Sequence, residues 1–328
     1  MRSTDAGLSA AIDRGLRAAT RAPSVHNTQP WLFVVSPPRI ELYLDRERVL
    51  PVADPDAREA QLSCGAALFN LCLALRASDH GAHIDLLPDP DRPDLLGIVN
   101  VGDYRLASPE LRSLATAIDR RATNRRPFDE RPVPLLHRRI LTDAARRRGA
   151  GLVLFDTEQL DTFVGLLRQA DHAQEEDPGF QRELTAWTTG DPARHDGVPR
   201  WAGGPRPIGG ASLKLRRYPG VRADERHEQE PLVVALTSPG DTVPDRLSAG
   251  QAMQRVLLTA TTVGLSASFL SQPIEVPHVR AALRVMLGAD PQTVLRIGYG
   301  HLAPPTPRRP LAAVTRYPVD ATPAKEAT

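Results

Sequence analysis

Arg121, Thr123 and Arg125 alternate along Arg120-Arg121-Ala122-Thr123-Asn124-Arg125-Arg126-Pro127-Phe128. In an extended segment alternate side chains project to one side. Two guanidinium groups flanking a hydroxyl suit a dianion such as phosphate, which needs delocalised cations and a neutral donor, each charge-assisted bond contributing about 1.5–3 kcal/mol. A second polar constellation lies in Ala22-Pro23-Ser24-Val25-His26-Asn27-Thr28-Gln29-Pro30-Trp31, where hydroxyl and amide side chains crowd a turn. Pro23 ends the preceding helix and Pro30 holds one peptide rigid without a donor, so the segment presents a fixed polar surface.

These residues need elements to position them. Leu8, Ile12, Leu16 and Ala19 recur at spacings of three to four, the face of an amphipathic helix, and Trp31 to Val35 reads as a buried strand. Cys64 to Leu75 parallels Ala249 to Ala260, with Gly81 and Gly264 closing the two helices. Each helix is followed by a strand-like run and then by a second one ending in glycine, Gly97 to Gly102 and Val294 to Gly300. The same order of elements thus occurs twice. The polar loop has no counterpart in the second half, where a helix from Pro134 to Arg148 runs through Gly149-Ala150-Gly151 straight into Leu152 to Phe155. The arginine segment has none in the first, so the halves are complementary.

APSVHNTQPW resembles the PSxxNxQPW loop of the nitroreductase superfamily of FMN proteins, where it lies against the isoalloxazine ring. RRATNRRPF resembles their RRSxRxF phosphate motif. The resemblance implies an α+β fold of mixed β-sheets with flanking helices, in which residues 1–108 and 109–328 form an intramolecular pseudo-dimer. It implies one FMN per chain and NAD(P)H as reductant. The cofactor contacts it implies are Pro23, Ser24, Val25, Asn27 and Gln29 at the ring, and Arg121, Thr123 and Arg125 at the phosphate. Arg308 and Arg309, in Pro307-Arg308-Arg309-Pro310, would close over the same phosphate. A backbone amide near Leu270 or Ser271 would meet flavin N5. That atom carries the hydride, so no catalytic side chain is required; His26 is a further candidate for bonding ring or substrate.

Residues 171–229 form an insertion longer than a simple connection, with a short helical piece around Phe180 to Trp187 and then much glycine, proline and arginine. Glu183 to Trp187 followed by Asp196-Gly197-Val198-Pro199 resembles the Acg-type branch of the superfamily, in which an insertion is a lid over the flavin. Two readings follow from the resemblance. One is an oxidoreductase passing hydride from NAD(P)H through FMN to a nitro or quinone-type acceptor. The other is a lid-occluded protein that stores or sequesters flavin without turnover. A flavin-free scaffold is a third.

Composition narrows the alternatives. The chain has 328 residues, 41% hydrophobic, enough for a full core. Its net charge of +2 is almost all arginine, and 39 acidic residues offset runs such as Arg146-Arg147-Arg148, so nucleic acid is not an expected partner. Cys64 and Cys72, eight apart in a helical pattern, read as core thiols, and His227-Glu228-Gln229-Glu230 reads as a solvated charged segment, not a metal site. Nucleophile-elbow, dinucleotide-loop, P-loop and H-E-x-x-H patterns are lacking. No leader pattern opens the chain and no run approaches the roughly 18 apolar residues of a membrane span. The expectation is a cytoplasmic protein with a small-molecule electron acceptor, a monomer or weak dimer because a fused pair has its interface inside one chain.

Overall fold

The computed structural model describes residues 2–204, 206–207, 216, 218–219, 223–224, 232–300 and 303–318. The helices are α1 (Arg2–Thr20), α2 (Arg58–Ala77), α3 (Pro109–Arg120), α4 (Leu135–Arg146), α5 (Thr157–Glu176), α6 (Pro178–Ala186), α7 (Val243–Thr262), α8 (Gln272–Glu275), α9 (Pro277–Leu287) and α10 (Leu311–Val314). The strands are β1 (Trp31–Ser36), β2 (Arg39–Leu44), β3 (His80–Leu86), β4 (Leu95–Tyr104), β5 (Gly151–Leu154), β6 (Thr188–Thr189), β7 (Val198–Pro199), β8 (Arg206–Pro207), β9 (Ala223–Asp224), β10 (Leu232–Ser238), β11 (Ser266–Phe269), β12 (Asp290–Gly298) and β13 (Thr315–Arg316). The fold is α+β, as expected.

Two sheets carry the frame, one ordered β13-β1-β2-β4-β3 and the other β11-β12-β10-β5. Read from the other end, the second runs β5-β10-β12-β11 and matches β1-β2-β4-β3 strand for strand, with antiparallel pairing throughout. The internal repeat is therefore visible in strand order. Where β1 and β2 are joined by a tight hairpin, β5 and β10 are separated by α5, α6 and the rest of the insertion. Helix α5 runs on to Glu176, past residue 171 where the sequence pattern placed the start of the insertion, and α6 supplies the expected short helical piece. The last strand, β13, leaves the second half and pairs parallel with β1, Phe33 opposite Thr315.

The two sheets are buried differently. In β1 burial alternates, with Trp31, Phe33 and Val35 facing inward, the signature of a sheet covered on one face. Strand β10 is buried at every position: Leu232, Val234 and Leu236 join the main core, and Val233 and Ala235 join a second one with α5 and α9. Such a run has no alternation to read, and this central strand escaped the sequence pattern.

Helices α2 and α7 cross at the centre. Gly65 and Gly250, equivalent in the repeat, make the crossing possible. A Cβ on Gly65 would stand 2.2 Å from the Leu247 carbonyl oxygen, and one on Gly250 would stand 2.0 Å from that of Leu62. Each glycine meets the residue three before the other, the reciprocity of a local two-fold relation. Gln254 Nε2 donates to Asn70 Oδ1 across the same interface (2.8 Å). One sequence expectation changes here: α2 is long and apolar enough by composition to cross a membrane, yet it is 83% buried inside the protein.

Because no rotamer change relieves overlap between Cβ and a backbone carbonyl, Gly250→Ala should destabilise the protein by about 3 kcal/mol or more. Gly165→Ala, in α5 with nothing within 4 Å of the added carbon, should be neutral or stabilising by up to about 1 kcal/mol. Urea unfolding midpoints of the two variants measure the contrast.

Candidate functional site

The polar loop follows α1 and has an unusual backbone. His26, Asn27 and Gln29 have φ of 45°, 58° and 55°, three non-glycine residues in the left-handed region, each costing of order 1–3 kcal/mol. Side chains hold it there. Ser24 Oγ accepts from the Gln29 amide (3.0 Å). Asn27 Nδ2 donates to the carbonyls of Gly197 (3.0 Å) and Pro307 (3.1 Å), and its Oδ1 accepts from Arg308 (3.0 Å). Gln29 Nε2 donates to the His195 carbonyl (2.9 Å), and its Oε1 accepts from the Arg309 amide (2.8 Å). The two amides thus tie the loop to the insertion on one side and to the C-terminal segment on the other.

Two adjoining cavities open beside this loop and share Pro23, Ser24, Arg125 and Phe269. The smaller, about 390 Å³, is lined by Asn27, Arg121, Thr123, Arg125, Thr306 and Arg308. The arginine segment runs extended beside β11: Thr123 bridges Ala267, and the Asn124 amide donates to the Ala267 carbonyl (2.9 Å). Alternate side chains therefore reach one cavity, as their spacing required.

Charge at this end is unbalanced. Arg121, Arg125 and Arg308 make no ion pair among the described residues. Arg121 is 7% exposed and its buried Nε lacks a partner. Burial, with Arg21 and Arg125 nearby, pushes its guanidinium down to about 10. Burial, with Arg121 and Arg21, pushes Arg308 down to about 9. The Arg308 donors are spent on carbonyl oxygens, including those of Thr20, Arg21 and Ala22 at the end of α1. Cations gathered this way without a carboxylate define an anion site.

The larger cavity, about 630 Å³, adds residues that the motifs did not indicate: Glu59, Leu62 and Ser63 from α2, Met253 from α7, Gln272 from α8, and Arg216 and Tyr218 from the insertion. Arg216 pairs with Glu275 (2.5 Å) and approaches His26 Nε2 (3.3 Å). Burial opposes the Arg216 charge, but the Glu275 carboxylate holds it on. Burial, then Arg216 and Arg125, hold His26 well below its ordinary 6.5, so the ring is neutral. With Nε2 facing a cation, the His26 proton belongs on Nδ1. That atom, Glu59 Oε2, Glu275 Oε1 and Arg216 Nε are all buried without a partner. Each unsatisfied group costs about 1–3 kcal/mol, so three on residues lining the cavity, with Glu275 paired to one of them, suit it to a polar ligand.

The insertion covers this seat. Phe180, Leu184, Val198 and Tyr218 form a small core with Leu50 and Ala53, and Val25 of the loop packs against it. Glu183 accepts from the Val52 (3.0 Å) and Ala53 (2.8 Å) amides, and Asp196 pairs with Arg48 (2.8 Å). Arg125 lies 5.0 Å from the Tyr218 ring centroid and donates to the Ala202 carbonyl (3.0 Å).

Nine of the twelve expected contact residues line a cavity: Pro23, Ser24, Val25, Asn27, Arg121, Thr123, Arg125, Ser271 and Arg308. Three lie elsewhere. Gln29 is fully buried and serves as the clasp described above. Arg309 turns to the Gln29 carbonyl and to Asp45 (3.3 Å), which balances its charge away from both cavities. Leu270 is buried in the second core with its amide committed to the Val294 carbonyl (2.9 Å), leaving Ser271 as the cavity residue of that pair. No group of three metal-ligating side chains occurs among the described residues, and His227 to Glu230 lie outside them. Glu59 had one sequence signal, an acid near the start of an otherwise apolar helix.

An α+β frame thus sets a cluster of cations without carboxylate partners beside a covered polar cavity. Among known proteins, a Mycobacterium tuberculosis protein with the provisional name NAD(P)H nitroreductase is 35% identical over 324 residues, 92% of this chain and 90% of its own. An uncharacterized protein of the same organism is 32% identical over 314 residues, 90% of each chain. The M. tuberculosis protein provisionally named NAD(P)H nitroreductase acg is 28% identical over 321 residues, 92% of this chain and 94% of its own. The chain belongs to the nitroreductase family. No family model matches it. Solved structures resembling it include a nitroreductase with bound FMN from Bacteroides fragilis (12% identity, TM-score 0.36, 60% of this chain and 93% of that one). A further one is from Anabaena variabilis (12%, TM-score 0.49, 86% and 82%). At these TM-scores nothing further rests on the structural likeness.

Two predictions follow from the charges. Arg121→Met removes a buried cation without a partner, so the ligand-free variant should melt no lower than the native protein. Inorganic phosphate should then bind it roughly 10- to 100-fold more weakly, the loss of one charge-assisted bond; thermal shifts across a phosphate series read both. Burial raises Asp54 to about 6, and burial with Glu275 and Asp54 raises Glu59 well above the carboxylate range. Both carboxyls hold protons more tightly folded than unfolded, so their contribution to stability is complete at low pH and is lost as pH rises, for Asp54 through about 6. Asp54→Asn and Glu59→Gln should flatten that decline in unfolding free energy measured from pH 5 to 8.

Proposed function

We propose that the chain binds one FMN, its phosphate in the smaller cavity and its ring in the larger, and acts as an NAD(P)H-dependent oxidoreductase toward a nitro or quinone-type acceptor. The observation that carries this reading is the set of cations without carboxylate partners, Arg121, Arg125 and Arg308, in a cavity adjoining one whose lining residues His26, Glu59 and Arg216 hold orphaned polar atoms. Those residues fit a phosphate monoester joined to a flat polar ring. The names of the M. tuberculosis relatives support the NAD(P)H part.

Bound there, FMN would supply the hydride-accepting ring. The chain's own residues do the holding. Arg121, Thr123 and Arg125 meet the phosphate, with Arg308 behind them. Pro23, Ser24, Val25 and Ser271 line the cavity that would take the ring, while Gln29 and Arg309 keep the loop in shape. One cofactor per chain follows from the complementary halves, 1–108 and 109–328, joined as a pseudo-dimer whose matching strand orders and reciprocal glycines support it. An interface held inside one chain supports a monomer.

A second reading has an observation of its own. Arg216 reaches from the insertion into the cavity and is buried against Glu275, which supports a cover that stays shut over a sequestered flavin. An anaerobic visible spectrum of the purified protein before and after NADPH, then NADH, separates them. Rapid bleaching of an oxidised flavin band is the expected result. A yellow protein that stays yellow selects sequestration, and a colourless one overturns both.

A further inference from the structure

Of the described residues lining the larger cavity, Glu59 is the only carboxylic acid. It stands at the second position of α2, where its amide and that of Ala60 are taken by the Asp54 carboxylate (2.9 and 2.8 Å). The Ser63 hydroxyl donates to its carbonyl (2.7 Å), which fixes the turn that carries it. The residue is 7% exposed, Oε2 is buried without a partner, and no ion pair reaches it among the described residues.

The nearby cations are engaged elsewhere. Arg216 from the insertion is held by Glu275 (2.5 Å). Arg58 on the same helix is held by Asp241 (3.2 Å) and Gln292 (2.7 Å). Asp54 from the preceding turn and Glu275 from α8 face Glu59 as like charges, and His26 and Arg125 line the same cavity. Burial comes first and the two carboxylates second, and together they hold the Glu59 carboxyl well above the ordinary carboxylate range against the pull of Arg58 and Arg216. His26 cannot share the role: it is a neutral imidazole whose Nδ1–H is a poor acid, and hydroxyl groups on the wall are weaker acids than a carboxyl.

We propose that Glu59 is a catalytic acid of this site, giving its Oε2 proton to the acceptor oxygen that becomes negative when hydride arrives. This rests on the oxidoreductase reading above. For a quinone the balance is complete: quinone, one hydride originating in NAD(P)H and one proton from Glu59 give the hydroquinone. The O–H bond of Glu59 breaks and one forms on the acceptor. The carboxylate is left beside the Arg216 cation and regains its proton from water once product leaves.

The test uses the FMN-loaded protein, reduced anaerobically by light so that NAD(P)H is not needed, then mixed with benzoquinone. Infrared spectra of the same protein at neutral pH should show a protonated carboxylic acid C=O band that shifts in D2O and disappears in Glu59→Gln. That variant should keep its FMN yet be reoxidised about 100-fold more slowly, with the native pH dependence gone, the size expected for loss of a general acid. Glu59→Asp keeps an acid on a shorter arm and should retain a pH-dependent reoxidation and a displaced band. Reoxidation of Glu59→Gln at the native rate, an infrared band that survives the substitution, or a flat pH profile in both native protein and Glu59→Asp would overturn the assignment while leaving the flavin reading intact. A protein that carries no flavin overturns both together.

Discussion

The contact on which this structure depends is the crossing of α2 and α7, where two glycines let each helix seat against a backbone carbonyl of the other. Helices normally stand 8–10 Å apart, held off by side chains. Removing the Cβ at Gly65 and Gly250 brings the backbones together, and the main core wraps this crossing with residues from both sheets. The larger cavity is defined by the same geometry, because Glu59, Leu62 and Ser63 come from the start of α2 and Met253 from α7. Frame and site are one arrangement.

The two ends of the site are built on opposite electrostatic plans. At the anion hole, positive charges are gathered and left uncompensated, so the empty protein carries their repulsion and a bound anion relieves it. Around the larger cavity, Arg216 is paired with Glu275, His26 is neutral and the Glu59 carboxyl is held well above its ordinary range.

The cover is coupled to both ends. Asn27 and Gln29 bind the insertion through Gly197 and His195 while binding the C-terminal segment through Pro307 and Arg309. Arg125 belongs to the anion hole and yet bonds Ala202 and meets Tyr218 in the insertion. Movement of the insertion would therefore disturb the loop, the tail and one arginine of the cationic cluster together, with several hydrogen bonds to break.

The sequence by itself determined the doubled order of elements and the arginine segment, because periodicity, glycine placement and alternate spacing are local properties that survive in one dimension; the α+β class came through the family resemblance that the two motifs carry. Arg121, Thr123 and Arg125 could be read because an extended strand has only two sides. Tertiary structure decided the rest. Gln29 and Arg309 have the right chemistry for a cofactor contact but point at each other across 280 residues of chain, a pairing no local pattern encodes. Leu270 and Ser271 are adjacent, and only the pairing of β11 with β12 decides which faces the cavity. Glu59, Arg216 and Glu275 come from three distant segments, and Glu59 leaves the ordinary carboxylate range only because folding removes it from water and sets other carboxylates beside it.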